Sequence, residues 1–252
     1  MGEGKMKIET EGTCFGNLWR DAVAARSDAP FLVFETSSGT SHSWTYAEFD
    51  VVVAQAAATL VRLGVGKGDS VNLALTNSPA FVALWLASVR LGAWIVPSDP
   101  QSRTQELIEH QSRTQTRVGV CSVHREDEFR AAARSIPVIV IDEDDCELAV
   151  FGTEKFIDWP RLNIRDRAAV MFTSGTTGRP KGVDISQANY AFAGQVMATA
   201  SGLTPDDRQL VVLPLFHANA QYYSFASAIA VGASVALMST FSATRFLQQA
   251  KT

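Results

Sequence analysis

Apolar runs and turn residues alternate along this chain of 252 residues, and the pattern separates helices from strands. Thr45-Tyr46-Ala47-Glu48 reads as a capping box, with Thr45 at the N-cap and Glu48 three residues on. Residues 49–63, rich in Ala, Val and Leu, continue that helix to Gly64, a suitable residue just past a helix end. A strand follows at 71–75. Ser78 and Pro79 then form an N-cap and first-turn pair for a second helix that stops at Gly92. Residues 93–96 form a short apolar strand closed by Pro97, and Asp99-Pro100 opens a third helix. Further strands are predicted at 118–123, 138–141, 168–172, 209–213 and 233–238. Helices are predicted at 186–201, ended by Gly202, and at 218–231, ended by Gly232, with Ser242 capping a last one. Strands alternating with helices in this way predict an α/β fold with a largely parallel sheet.

Two local features stand apart from the alternation. The pentapeptide at 101–105 recurs at 111–115, which reads as a local duplication on a helix face, since a single repeat makes no solenoid. The acidic run at 142–147 reads as a solvated loop, and residues 142–167 are the place where a subdomain boundary is expected.

Hydrophobic residues make up 46% and charged residues 19% of the chain, as in ordinary globular proteins. The net charge of −4 argues against a nucleic-acid or membrane-surface binder, which would carry a basic face. It leaves room for a small anionic ligand held by a few local cations. Cys14, Cys121 and Cys146 show no paired spacing, so free thiols in a reducing cytoplasm are expected rather than disulfides or a zinc site. The polar start shows no secretory pattern, and Met6 stands where myristoylation wants Ser or Thr. The longest apolar stretch, 81–89, stops at Arg90, short of a membrane span.

The most informative segment is Thr173-Ser174-Gly175-Thr176-Thr177-Gly178-Arg179-Pro180-Lys181-Gly182. Its glycines free backbone amides to approach a ligand and to form an anion-binding nest. Four hydroxyls add short donors, and Arg179 and Lys181 add positive charge. Each charge-assisted hydrogen bond contributes about 1.5–3 kcal/mol, so several together hold a polyphosphate. The segment follows a predicted strand, which puts it where open α/β sheets bind ligands. It is not a Walker A loop, because Arg and Pro separate Gly178 from Lys181.

This loop resembles the signature of the adenylate-forming superfamily: acyl- and aryl-CoA ligases, adenylation domains of nonribosomal peptide synthetases, and luciferases. Other landmarks follow in the family's order. WTYAEF at 44–49, LVRLGVGKGDSV at 60–71, LGAWIVPSDP at 91–100 and PLFH at 214–217 each look like a family element. The resemblance runs from about Leu18 to the last residue and is most like an acyl-CoA ligase. It implies the N-terminal subdomains of the adenylate-forming fold, with mixed, largely parallel sheets flanked by helices.

What the resemblance implies about the site is specific. Thr173, Ser174, Gly175, Thr176, Thr177, Gly178 and Lys181 would wrap the β- and γ-phosphates of ATP, with Mg2+ bridging phosphate oxygens. His217 and Lys181 would be the catalytic side chains. Among the substrate-binding residues, His217 would lie near the acyl carboxylate and α-phosphate with Phe216 beside it, and Asn219, Gln221 and Tyr222 would line the acyl or pantetheine channel. His42, His110 and His124 match no motif and are expected at the surface, and Gln187 departs from a histidine common in relatives. The implied reaction joins a small carboxylic acid to AMP and then to a thiol, that of coenzyme A or of a carrier protein. A non-catalytic acyl or nucleotide binder, or a relative performing one half-reaction, is the reading from another class. The resemblance leaves room for a homodimer. Family elements expected further downstream, including the ribose-holding segment, the hinge and the C-terminal lysine, are absent. The chain is therefore expected to be an N-terminal portion that is inactive alone.

Overall fold

Helices begin where their capping residues dictate. In the computed structural model, which describes residues 12–173 and 181–250, the Thr45 hydroxyl accepts the Glu48 N–H at 3.2 Å. The Glu48 carboxylate accepts the Thr45 N–H at 2.8 Å, which opens helix α2 (Tyr46–Arg62). Ser78 caps α3 (Pro79–Leu91) by accepting the Phe81 N–H, and Gly92 closes it in the left-handed region at φ 70°. Ser186 and Asn189 form a reciprocal cap on α6 (Gln187–Ser201). Helix α1 (Phe15–Ala25), strands β1 (Pro30–Glu35) and β2 (Ser41–Thr45), and helix α5 (Glu126–Ala133) are elements that periodicity did not single out.

Two sheets organise the chain. One has the order β6-β5-β3-β4-β7-β8, from β3 (Ser70–Ala74), β4 (Trp94–Pro97), β5 (Val118–Ser122), β6 (Val138–Ile141), β7 (Arg167–Thr173) and β8 (Lys181–Ser186). It is parallel except for the β7–β8 pair. The other has the order β2-β1-β10-β9, with β9 (Arg208–Val211) and β10 (Ser234–Met238) parallel to β1 and β2 antiparallel. The early strand β1 thus pairs with a strand some two hundred residues later, a contact that no local pattern reveals.

Several expectations are corrected. The third helix, α4, spans Thr104–Thr114 and not the Asp99-Pro100 start, because the Asp99 side chain accepts the Gln101 N–H and its carbonyl accepts the Ser102 N–H in a turn. The repeated pentapeptide therefore does not mark one helix face: the first copy straddles the start of α4 and the second its end. Strand β8 takes in Lys181 and Gly182, expected as loop, and residues 183–185, for which no element was expected. The segment expected as one helix at 218–231 is a π-helix (Ala220–Ala226) followed by α7 (Ser227–Val231). The last helix, α8 (Phe246–Gln249), starts beyond Ser242. His110, expected at the surface, is 8% exposed, with its Nδ1 3.0 Å from the Ser98 hydroxyl.

The acidic run is tied down rather than merely solvated. Glu143 accepts hydrogen bonds from the Thr76 N–H and hydroxyl and from the Ser122 hydroxyl. Asp144 accepts from Ser37 in the β1–β2 turn, so the run links the two sheets. Residues 142–166, where a boundary was expected, join two strands of the same sheet. They cross the helices on the way: Phe156 N–H bonds the Ala54 carbonyl, and Trp159 lies under the Arg90 guanidinium at 4.5 Å.

The core explains why α3 lacks an amphipathic pattern. All of its residues are buried, against α1, α2 and β4 among others, so apolar side chains are needed on every face. Trp85 of α3 stacks on Phe15 and meets Tyr190 of α6, in a cluster that also holds Phe31, Phe49 and Phe225.

Candidate active site

The stems of the hydroxyl-rich loop are β7 and β8. Thr173 pairs with Lys181 at the end of this antiparallel ladder, and the Thr173 hydroxyl donates to the Lys181 carbonyl at 3.4 Å. Ser174, Gly175, Thr176, Thr177, Gly178, Arg179 and Pro180 lie outside the described residues. Thr173 and Lys181 are both exposed. Because β3, β4 and β7 run parallel, Thr173 at the end of β7 lies at the same edge of the sheet as the carboxyl end of β3.

At that carboxyl end a cavity of about 500 Å³ is lined by residues that follow strands of both sheets, among them Thr76 and Asn77 beyond β3, Leu213, Pro214 and Phe216 beyond β9, and Phe241 beyond β10. Open α/β folds place ligands in the crevice outside the carboxyl ends of their strands. The turn that carries Phe216 is closed by the His217 N–H donating to the Pro214 carbonyl at 3.1 Å. The Phe216 and His217 rings lie 4.4 Å apart. Phe216 is half-buried and faces the cavity, while His217 is exposed beside it.

The remaining residues expected at the site separate. Asn219 is exposed just before the π-helix. Gln221 is fully buried: its Nε2 donates to the Leu215 carbonyl at 2.5 Å, and its Oε1 accepts from the Tyr190 hydroxyl. Tyr222 is half-buried with its ring 4.9 Å from Tyr190. Burial pushes the phenols of Tyr190 and Tyr222 well above their usual range, so both stay neutral hydrogen-bonding groups.

Sequence reasoning missed Thr76, Asn77 and Phe241 as cavity residues. Asn77 carried one local signal, its place just before the Ser78-Pro79 helix start, but nothing local connects it to Leu215, 138 residues away. The thiols offer no nucleophile. Burial drives Cys121 up to about 12 and Cys146 up to about 11, and Cys14 is also raised, first by burial.

This architecture is that of the N-terminal domain of adenylate-forming proteins. The ATP-bound structure of MatB from Rhodopseudomonas palustris matches it with a TM-score of 0.81 at 26% identity, over 92% of this chain and 47% of that one. Residues 19–251 match the family model of the AMP-binding enzymes, and the chain belongs to that family. The crotonobetaine/carnitine–CoA ligase of Salmonella arizonae is 31% identical over 248 residues, covering 93% of this chain and 48% of that protein. Its Escherichia coli counterpart is 30% identical over 252 residues, covering 92% and 48%. The chain spans about half the length of the curated relatives it matches.

Proposed function

We propose that this chain supplies the ATP-phosphate loop and the acyl-proximal turn of an acid–thiol ligase of acyl-CoA synthetase type. The observation that carries the reading is the Thr173–Lys181 stem, which opens the signature loop on the sheet edge where the cavity beside Phe216 and His217 lies. Thr173 and Lys181 would hold ATP together with the loop between them, and Mg2+ would ride on the phosphate oxygens.

A carboxylate oxygen of the acid attacks the α-phosphorus of ATP, the bond to the bridging oxygen breaks, and pyrophosphate leaves with the electron pair. A thiol then attacks the acyl carbon, loses its proton, and AMP departs. Two anions must meet in the first step, so positioning and charge neutralisation dominate the barrier. Lys181 neutralises charge on the phosphates, and His217 stands beside the acyl carboxylate. The similarity to CoA ligases favours coenzyme A over a carrier-protein thiol.

Calorimetric titration of the chain with ATP and Mg2+ tests the first half of this reading. Saturable binding is expected, and a folded chain that takes up no nucleotide would overturn it. The chain corresponds to about half of its relatives, so turnover is proposed only for this half together with the remainder those relatives carry. Acid-dependent AMP release, screened over carboxylic acids with coenzyme A at that full length, identifies the acid. Pyrophosphate exchange by the chain alone at the rate of a whole ligase would contradict the division of labour.

A further inference from the structure

We propose that Asn77 and Gln221 are positioning residues that clamp the Leu215 peptide from both sides and so set Phe216 and His217 at the cavity. The functional meaning of the clamp rests on the reading of His217 given above; its existence does not. Asn77 lies just past the carboxyl end of β3 and is 4% exposed. Its Oδ1 accepts the Leu215 N–H at 2.8 Å, and its Nδ2 donates to the carbonyls of Leu213 at 3.1 Å and Met238 at 3.0 Å. Two carbonyls on one side and an N–H on the other fix the orientation of the amide. Gln221 takes the opposite side of the same residue through the Leu215 carbonyl and is itself held by Tyr190.

The peptide groups of Leu215 are therefore fixed one residue before Phe216 and two before His217, and its side chain is buried. The bonds run as one chain from the end of β3, through the Pro214–His217 turn and the π-helix, to α6. Gln221 reaches back from the start of the π-helix to a carbonyl only six residues earlier. Bonds in such a buried chain are costly to leave unmade, so the turn has little freedom to drift. Asn77 joins three backbone groups, one at the end of β10 and two in the segment beyond β9, and a purely structural role would stop there. The clamp predicts more, namely that the geometry of His217 responds to both amides.

The test uses the chain itself, with Asn77→Ala and Gln221→Met made separately, so that one remains informative if the other fails to fold. Proton–carbon NMR of the imidazoles resolves the four histidines. In each variant the His217 signals are expected to move toward the unstructured value while those of His42, His110 and His124 stay in place. In Asn77→Ala, which removes the acceptor of the Leu215 N–H, exchange of that amide should quicken about tenfold, the factor for loss of one net hydrogen bond. Because both side chains hold the backbone of one residue, the double variant should shift His217 by less than the sum. A His217 signal unmoved in the folded variants, or four histidines moving together in both, would overturn the clamp. If the clamp behaves as expected but the chain binds no ATP, the functional reading fails and the clamp stands.

Discussion

The imidazole of His110 lies face to face on the ring of Phe172, with centroids 4.0 Å apart and planes 7° apart. Phe172 immediately precedes Thr173, so the stack sits under the stem of the signature loop. Burial lowers the pKa of His110 from its usual 6.5, against the opposing pull of Glu106 and Glu109 on the same helix. The folded chain therefore disfavours a proton that the unfolded chain accepts below about 6.5. Stability from this site is complete above that pH and declines as pH falls toward the folded-state value. Urea midpoints should drop between pH 7.5 and 5.5, and His110→Phe, which keeps a stacking ring, should flatten that slope. Equal slopes in the two proteins would refute the assignment.

Lys181 stands exposed at the start of β8, where its backbone pairs with Thr173. Lys181→Ala should leave urea stability within about 0.5 kcal/mol, as for other surface substitutions. ATP affinity, read by calorimetry, should fall at least about tenfold with loss of a charge-assisted contact. Unchanged affinity would remove Lys181 from the phosphate site.

Gly194 of α6 packs against the π-helix so closely that a Cβ would lie 2.5 Å from the Ala226 carbonyl oxygen. Backbone cannot yield as a flexible side chain can. Gly194→Ala should therefore destabilise the chain by about 1–3 kcal/mol, the usual cost of overpacking. Chemical denaturation measures this, and a neutral effect would mean that the two helices separate freely.

Arg90 is 3% exposed and reaches Asp50 at 3.4 Å, while Asp50 also accepts the Trp19 indole N–H at 2.9 Å. Asp50→Ala strands a buried cation and an indole donor together. A loss of about 2–3 kcal/mol is expected, below the range for fully buried pairs because Asp50 keeps part of its side chain in water. The companion Arg90→Met should cost less, since it removes the charge instead of orphaning it; the reverse order in denaturation midpoints would rule out this account.

The local signals in the chain were enough for the starts of α2, α3 and α6, most strand positions and the family. Thr45 with Glu48, Ser78 with Pro79, and Ser186 act on backbone groups within three residues, so their consequences are written where they stand. The loop at 173–182 is equally local, because its chemistry lies in consecutive hydroxyls, amides and cations. Strand β8 escaped notice since its pattern follows that loop directly and its outer residues are exposed. The burial of His110, the partnership of β1 with β10, and the hold of Asn77 and Gln221 on Leu215 were decided only by tertiary structure. Hydrogen bonds and stacking depend on separation in space, and a partner 138 residues away leaves no mark on local periodicity.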